Sequence, residues 1–275
     1  MVEKHITNTL SQWFGRFADH EFPRPVQNLI NHAYVNLLDL DMSEFAPPST
    51  YPSLNKLFTR ALRKRRPVDR RAGAFISPVD AYVTECGTLQ DDKALQVKGM
   101  AYSIDDLLTL QYGREAKALY GGSYINFYLS PRDYHRYHMP YKLRIATILH
   151  QPGKLYPVNF PSLRKRRELF VENERVILEC FTEKGGRIFI VLVGALNVGR
   201  MTIAFDHRIK TNADRYEPTL YRYDKKPVWI YKGDLLGMFM MGSTVLVFAE
   251  PGLMEVRTND RTHVRFGERV AVIKE

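Results

Sequence analysis

Two periodicities divide the chain. Up to about residue 45 the apolar positions recur at helical intervals. In VQNLINHAYVNLLDL, residues 26–40, Val26, Leu29, Ile30, Ala33, Val35, Leu37 and Leu38 keep near that spacing. Pro23 and Pro25 stand where a helix can begin. An earlier segment gives Trp13, Phe14 and Phe17 an apolar side with Arg16 nearby. APPSTYPS at 46–53 is a linker by composition. From about residue 74 the pattern changes to short runs rich in β-branched and aromatic residues: AYVTECGTL, SYINFYL, KLRIATILH, RVILECF, RIFIVLVGAL, VGRMTIAF, STVLVFA and ERVAVI. SIDDLLTL at 103–110 reads as a helix that Ser103 caps and Asp106 answers. The expected fold is α+β, N-terminal helices followed by a mostly antiparallel β core, divided into 1–50 and 51–275.

Length and composition narrow the class. At 275 residues and 45% hydrophobic content the chain can bury one sizeable core. Cys86 and Cys180 are too few for a disulfide framework and fit a reducing compartment. MVEKHITNTLSQW lacks the apolar centre of a secretory signal. The longest apolar run, IFIVLVGAL at 188–196, is too short to span a bilayer. The net charge of +10 is clumped: Arg60, Arg63, Lys64, Arg65, Arg66, Arg70 and Arg71 form one cluster, Arg164, Lys165, Arg166 and Arg167 another. Such patches suit a polyanion or an anionic membrane, and equally a solvated face.

Three places can carry chemistry. In YLSPRDYHRYHMP, 128–140, Ser130, Pro131 and Asp133 predict a capped helical turn. His135 and His138 follow three residues apart, a spacing that shares one face of a helical turn. They could hold a metal, though no Glu-x-x-His or Cys cluster joins them, or be ordinary surface residues. Asp80, in SPVDAYV at 77–83, stands just before a strand; it is either a turn residue or the group that orients an imidazole. Gly242-Ser243 runs straight into a strand, so it is not a Gly-x-Ser-x-Gly nucleophile elbow. Asp, His and Ser together still form the standard means of activating a hydroxyl. The carbonyl nearest Ser243 is that of Gly242, where glycine leaves it open to attack.

PVDA at 78–81, KGMAYSIDDLL at 98–108, YLSPRDYHRYHMP at 128–140, FVENERV at 170–176, VGALNVG at 193–199 and GDLLGMFMMGST at 233–244, with LNKLFTRALRKRRPVD at 54–69, resemble the phosphatidylserine decarboxylase family. The resemblance runs in order over about residues 51–275. It implies that the chain cuts its own Gly242-Ser243 bond, giving a β subunit of 1–242 and an α subunit of 243–275. Ser243 becomes a pyruvoyl group, the covalent cofactor, with no metal. His138 serves as base, Asp80 orients it, and His135 assists decarboxylation or reprotonation. Tyr137 has no step. The pyruvoyl ketone forms a Schiff base with phosphatidylserine, and CO2 leaves to give phosphatidylethanolamine. A peripheral place on the cytoplasmic face of the cell membrane follows, reached through Trp13, Phe14 and Phe17 or through LYPVNFPSLRKRREL at 155–169. A homodimer of processed units is also implied.

Two residues depart from the family pattern. Ala81 replaces the usual glycine, which matters only if that position needs a positive φ, and Met241 replaces a frequent leucine. Two other readings compete. One is a Ser-His-Asp lipid hydrolase with an intact chain. The other is a basic binding module without catalysis; nucleic acid is not the expected partner, since no recognition motif is present.

Overall fold

The computed structural model describes residues 6–97, 100–158, 162, 168–196, 200–212, 217–240 and 243–274. Helices α1 (Ile6–Asp19) and α2 (Arg24–Leu38) come first, followed by the short α3 (Leu54–Phe58). Pro23 is the N-cap of α2, and Pro25 occupies its first turn. Strands β1 (Ala74–Ile76), β2 (Ala81–Thr88), β3 (Lys93–Val97) and β4 (Met100–Ser103) lead to α4 (Ile104–Leu108) and α5 (Gly113–Lys117). Next come β5 (Ser123–Leu129), β6 (Arg136–His138), β7 (Leu143–Gln151), α6 (Leu169–Glu172), β8 (Arg175–Phe181) and β9 (Arg187–Val193). The chain ends with β10 (Met201–Ile203), β11 (Thr219–Arg222), β12 (Val228–Ile230), β13 (Leu235–Phe239), β14 (Ser243–Ala249), β15 (Met254–Val256), β16 (Thr262–Val264) and β17 (Arg269–Ile273). The fold is α+β, as expected. Ser103 does cap α4, accepting the Asp106 N–H at 3.3 Å, but the helix stops at Leu108, before Thr109 with φ 69°.

A nine-stranded antiparallel sheet carries the structure, in the order β11-β7-β8-β9-β14-β5-β2-β16 with β12 also on β7. Its middle strand, β14, is buried over its whole length. Strand geometry sends alternate side chains to opposite faces. Val245, Val247 and Ala249 join one core, and Leu246 and Phe248 join the other. A sheet covered on both faces therefore reads as a continuous apolar run, which explains STVLVFA. One face is covered by α4, α5, α6 and the β3–β4 hairpin, through Tyr102, Leu107, Tyr112 and Phe170. The other is covered by two small sheets, β1-β17-β15 and β10-β13-β6, through Phe75, Val270, Tyr137 and Phe239.

The N-terminal helices dock through a separate apolar cluster in which Ala18, Leu54 and Leu57 meet Phe14, Ile30 and Tyr34. The opposite side of the pair is apolar yet open: Trp13, Leu29 and Leu37 are 68%, 71% and 84% exposed. The packed face and the open face thus coexist on the same two helices. Among the described residues no helix is long and apolar enough to cross a membrane. Cys86 and Cys180 are free thiols.

Candidate active site

Ser243 opens β14 opposite Leu129, the last residue of β5. Tyr128 faces Tyr82, so Ala81 stands level with Leu129 on the next strand, and Asp80 immediately precedes it. Two strand spacings put Ser243 and Ala81 about 10 Å apart at one end of the sheet. By alternation the Ser243 side chain lies on the Val245 face, toward the small sheet that contains β6. The β6–β13 pairing brings in the histidines: the Phe239 N–H donates to the His135 carbonyl at 2.9 Å, four residues before Ser243, and His138 pairs with Leu235. The His138 N–H reaches the Pro78 carbonyl at 2.9 Å, two residues from Asp80. Gly242 and Met241 lie outside the described residues.

Ser243 is wholly buried, and among the described residues its Oγ has no hydrogen-bond partner. An unmet buried hydroxyl costs about 1–3 kcal/mol, so its persistence calls for a chemical reason. His135 is equally buried. Its Nδ1 donates to the Asp133 carbonyl at 2.8 Å, which leaves Nε2 an acceptor without a partner among the described residues. Phe58 of α3 covers the ring at 4.0 Å. Burial pushes the His135 imidazole down to about 3 and His138 down to about 4, so both are neutral bases near pH 7.

The histidine pair differs from the expected arrangement. Ser130–Asp133 does form a tight turn, with Asp133 Oδ2 accepting the Ser130 N–H, but the chain then enters β6 rather than a helix. His135 and His138 do not share one helical face, because a three-residue step along extended chain reverses the side chain. The buried Tyr137 between them donates to the Thr202 carbonyl and braces the small sheet. Among the described residues no cluster of three metal-ligating side chains exists.

Among the described residues Asp80 makes no hydrogen bond to an imidazole. Arg66 grips its carboxylate at 2.5 and 3.0 Å, and the Phe266 N–H donates to Oδ1 at 2.8 Å. The Phe266 ring in turn stacks on His138 at 3.8 Å and 16°. His138 is held by two other groups: Nδ1 donates to the Gly233 carbonyl at 3.0 Å, and Nε2 accepts from the Tyr134 hydroxyl at 3.0 Å. Gly233 has φ +85°, and a Cβ there would come within 3.1 Å of Val68. Asp80 thus reaches His138 through Phe266. Ala81 is not among the residues with positive φ, so the missing family glycine leaves this backbone unstrained.

Arg66, Phe266, Tyr134 and Gly233 therefore build the site alongside the residues named from sequence. Arg66 sat in a run that read as a basic face, yet its side chain is 9% exposed and bridges Asp80 and Glu44. Arg60 of the same run is buried, donating to the Arg132 and Asp133 carbonyls. The second basic run, Arg164–Arg167, lies outside the described residues.

A buried serine heads a central strand, with two neutral histidines at the same sheet end, an arrangement that suits acyl chemistry on the serine hydroxyl. The family model for phosphatidylserine decarboxylase matches residues 54–272, and the chain belongs to that family. Relatives named phosphatidylserine decarboxylase proenzyme occur in Helicobacter pylori strain Shi470, 45% identical over 96% of this chain and 97% of the relative. Others of that name occur in Campylobacter jejuni, 39% identical over 95% and 97%, and in Bordetella petrii, 35% identical over 96% and 93%. These findings support neither the lipid hydrolase nor the binding module without catalysis.

Proposed function

We propose that this chain cuts itself between Gly242 and Ser243 and then decarboxylates phosphatidylserine to phosphatidylethanolamine through a pyruvoyl group made from Ser243. The observation that carries the proposal is the enclosed Ser243 Oγ, without a partner among the described residues, at the head of a strand paired on both sides. In the cut, Oγ bonds to the Gly242 carbonyl carbon and the peptide C–N bond breaks, while His138, the base that the family resemblance implies, takes the Oγ proton and hands it to the leaving nitrogen of residue 243. The Tyr134 hydroxyl must yield Nε2 for that transfer. Elimination then breaks the Cβ–Oγ bond of residue 243, frees the Gly242 carboxylate, and loses the α-proton. Water releases the nitrogen as ammonia.

A pyruvoyl group fits here, because residue 243 is enclosed and needs no side-chain hydrogen bond to stay in place. The group supplies an electron-withdrawing carbonyl next to the substrate amine. Asp80 fixes Phe266 over His138 and keeps that imidazole desolvated. His135 offers a bare Nε2 that can accept a proton from the substrate and return it. Ladders from Ser243–Ala249 to β5 and β9 keep the 243–275 piece in the fold after the cut.

The division near residue 50 separates labour: the helices meet the membrane, and the rest performs the reaction. Trp13, Leu29 and Leu37 support a peripheral membrane attachment, because they leave apolar surface open on α1 and α2, and the cytoplasmic face is the side that the family resemblance implies. The family resemblance adds a homodimer of processed chains, to be weighed by sedimentation. Purified protein incubated with phosphatidylserine tests the reaction: release of CO2 with phosphatidylethanolamine is expected, and no turnover by fully cleaved protein rejects it. Replacing Trp13, Leu29 and Leu37 by serine is expected to lower vesicle binding at least tenfold; unchanged binding rejects the helical contact.

A further inference from the structure

Beside His138 the surface opens into a cavity of about 750 Å³ whose charge the steps above do not use. Its cations are Arg65, Arg66, Arg70, Arg136 and Lys232, against the single carboxylate of Asp234. Arg66 is committed to Asp80 and Glu44. The other four have no ion-pair partner among the described residues. Arg65 and Arg70 are exposed at the rim, while Arg136 and Lys232 are half-buried.

The two inner cations are fixed to the elements that hold His138. Arg136 shares a face of β6 with His138, two residues away, while Tyr137 points into the core. Its Nε donates to the Thr59 carbonyl at 3.0 Å, which leaves the outer guanidinium nitrogens for a ligand. Lys232 adjoins Gly233, whose carbonyl holds His138, and its Nζ spends one donor on the Ala74 carbonyl at 3.1 Å. Burial lowers the Lys232 pKa, as expected of an ammonium short of water.

A planar guanidinium and an ammonium, both partly desolvated and unpaired, suit an oxyanion with several acceptor oxygens. In a serine phospholipid the phosphorus is four covalent bonds from the reacting amine. A phosphate subsite must therefore lie within about one serine length of the reacting centre, on the path out to the bilayer. The volume falls in the range of small-ligand sites, and Leu62 and Val68 add apolar wall. We propose that this cavity is the phosphodiester subsite for the substrate, with Arg136 and Lys232 on the phosphate oxygens and Arg65 and Arg70 drawing the anionic head inward. The proposal rests on the phosphatidylserine reading given above.

The test uses Lys232→Gln, Arg136→Gln and a rim double variant, Arg65→Gln with Arg70→Gln. Each cleaved enzyme is assayed on phosphatidylserine in neutral detergent, with glycerophosphoethanolamine as a soluble phosphodiester inhibitor. Binding to phosphatidylglycerol vesicles is measured in parallel. Loss of one charged hydrogen bond is expected to raise KM about tenfold for Lys232→Gln and Arg136→Gln, with kcat within twofold. Inhibition by glycerophosphoethanolamine should weaken by the same factor while vesicle binding holds. An unchanged KM overturns the proposal. So does a KM increase that only tracks lost vesicle binding, since the charges would then serve any anionic bilayer. If the inner variants stay uncut, the rim variant decides: a KM raised about threefold supports the subsite, and an unchanged one overturns it. Wild-type enzyme that is cleaved but never turns over phosphatidylserine would instead reject the underlying reaction.

Discussion

Replacing Arg66 by methionine tests how Asp80 is held. Asp80 is 16% exposed and Glu44 33% exposed, so the two halves of the Arg66 bridge are unequal. The two bonds to Asp80 are charge-assisted and nearly out of water, at about 1.5 kcal/mol each. The bonds to Glu44, at 2.7 and 2.9 Å, are screened and add less than about 1 kcal/mol. Arg66→Met should therefore cost about 3–4 kcal/mol, because it leaves a nearly buried carboxylate without its cation. Urea unfolding in a Ser243→Ala background keeps the chain in one piece and gives the number directly. Asp80→Asn alone should cost about 2 kcal/mol, and the double variant should fall short of the two single costs combined by about 2 kcal/mol. A loss below about 1 kcal/mol for Arg66→Met, strictly additive with Asp80→Asn, would refute the account of the bridge.

Further outcomes follow from the same geometry. Gly237 lies between β10 and β6, and a Cβ there would sit 1.8 Å from the Thr202 carbonyl oxygen. Gly237→Ala should thus cost more than about 3 kcal/mol and yield uncleaved, poorly soluble protein. Gly113→Ala, with open space around it, should leave the melting temperature equal or higher. His138 titrates near 4, so self-cleavage by its neutral form should hold its rate from pH 8 to about 5 and fall only toward pH 4. In the unfolded chain this histidine protonates near its ordinary value of about 6.5, so the unfolded state binds more protons between 6.5 and 4, and stability drops as pH falls through that window. Phe266→Ala uncovers the imidazole and should move the midpoint of the cleavage profile up toward 6.5; an unmoved midpoint contradicts the role given to the stack.

The parts of the fold visible in sequence are those with local cause. Long β-branched runs became β5, β7, β8, β9 and β14, because a sheet buried on both faces needs continuous apolar residues. The prolines placed α2, and Ser103 placed α4. Three-residue strands such as β6 and β10 carry too little pattern, so the SPRDYHRYH segment looked like a helical turn. Distance hid the rest. The sequence shows Arg66 among six other basic residues, and only the fold brings Glu44 and Asp80 to it. Arg175 is a second case: buried at 3% exposure, it spends its guanidinium on the carbonyls of Leu107, Val171, Asn173 and Asp106. Asp80, His135, His138 and Ser243 could be named in advance because their motifs resemble a family. The stack of Phe266 on His138 had no local signal beyond an aromatic residue before Gly267.

The most direct test of self-cleavage is an intact mass spectrum of purified protein under denaturing conditions. The account predicts two polypeptides, one ending at Gly242 and one running from residue 243, the second lighter than a serine-started peptide by one ammonia. A single chain spanning Gly242-Ser243, or a second piece that keeps its serine, would contradict it.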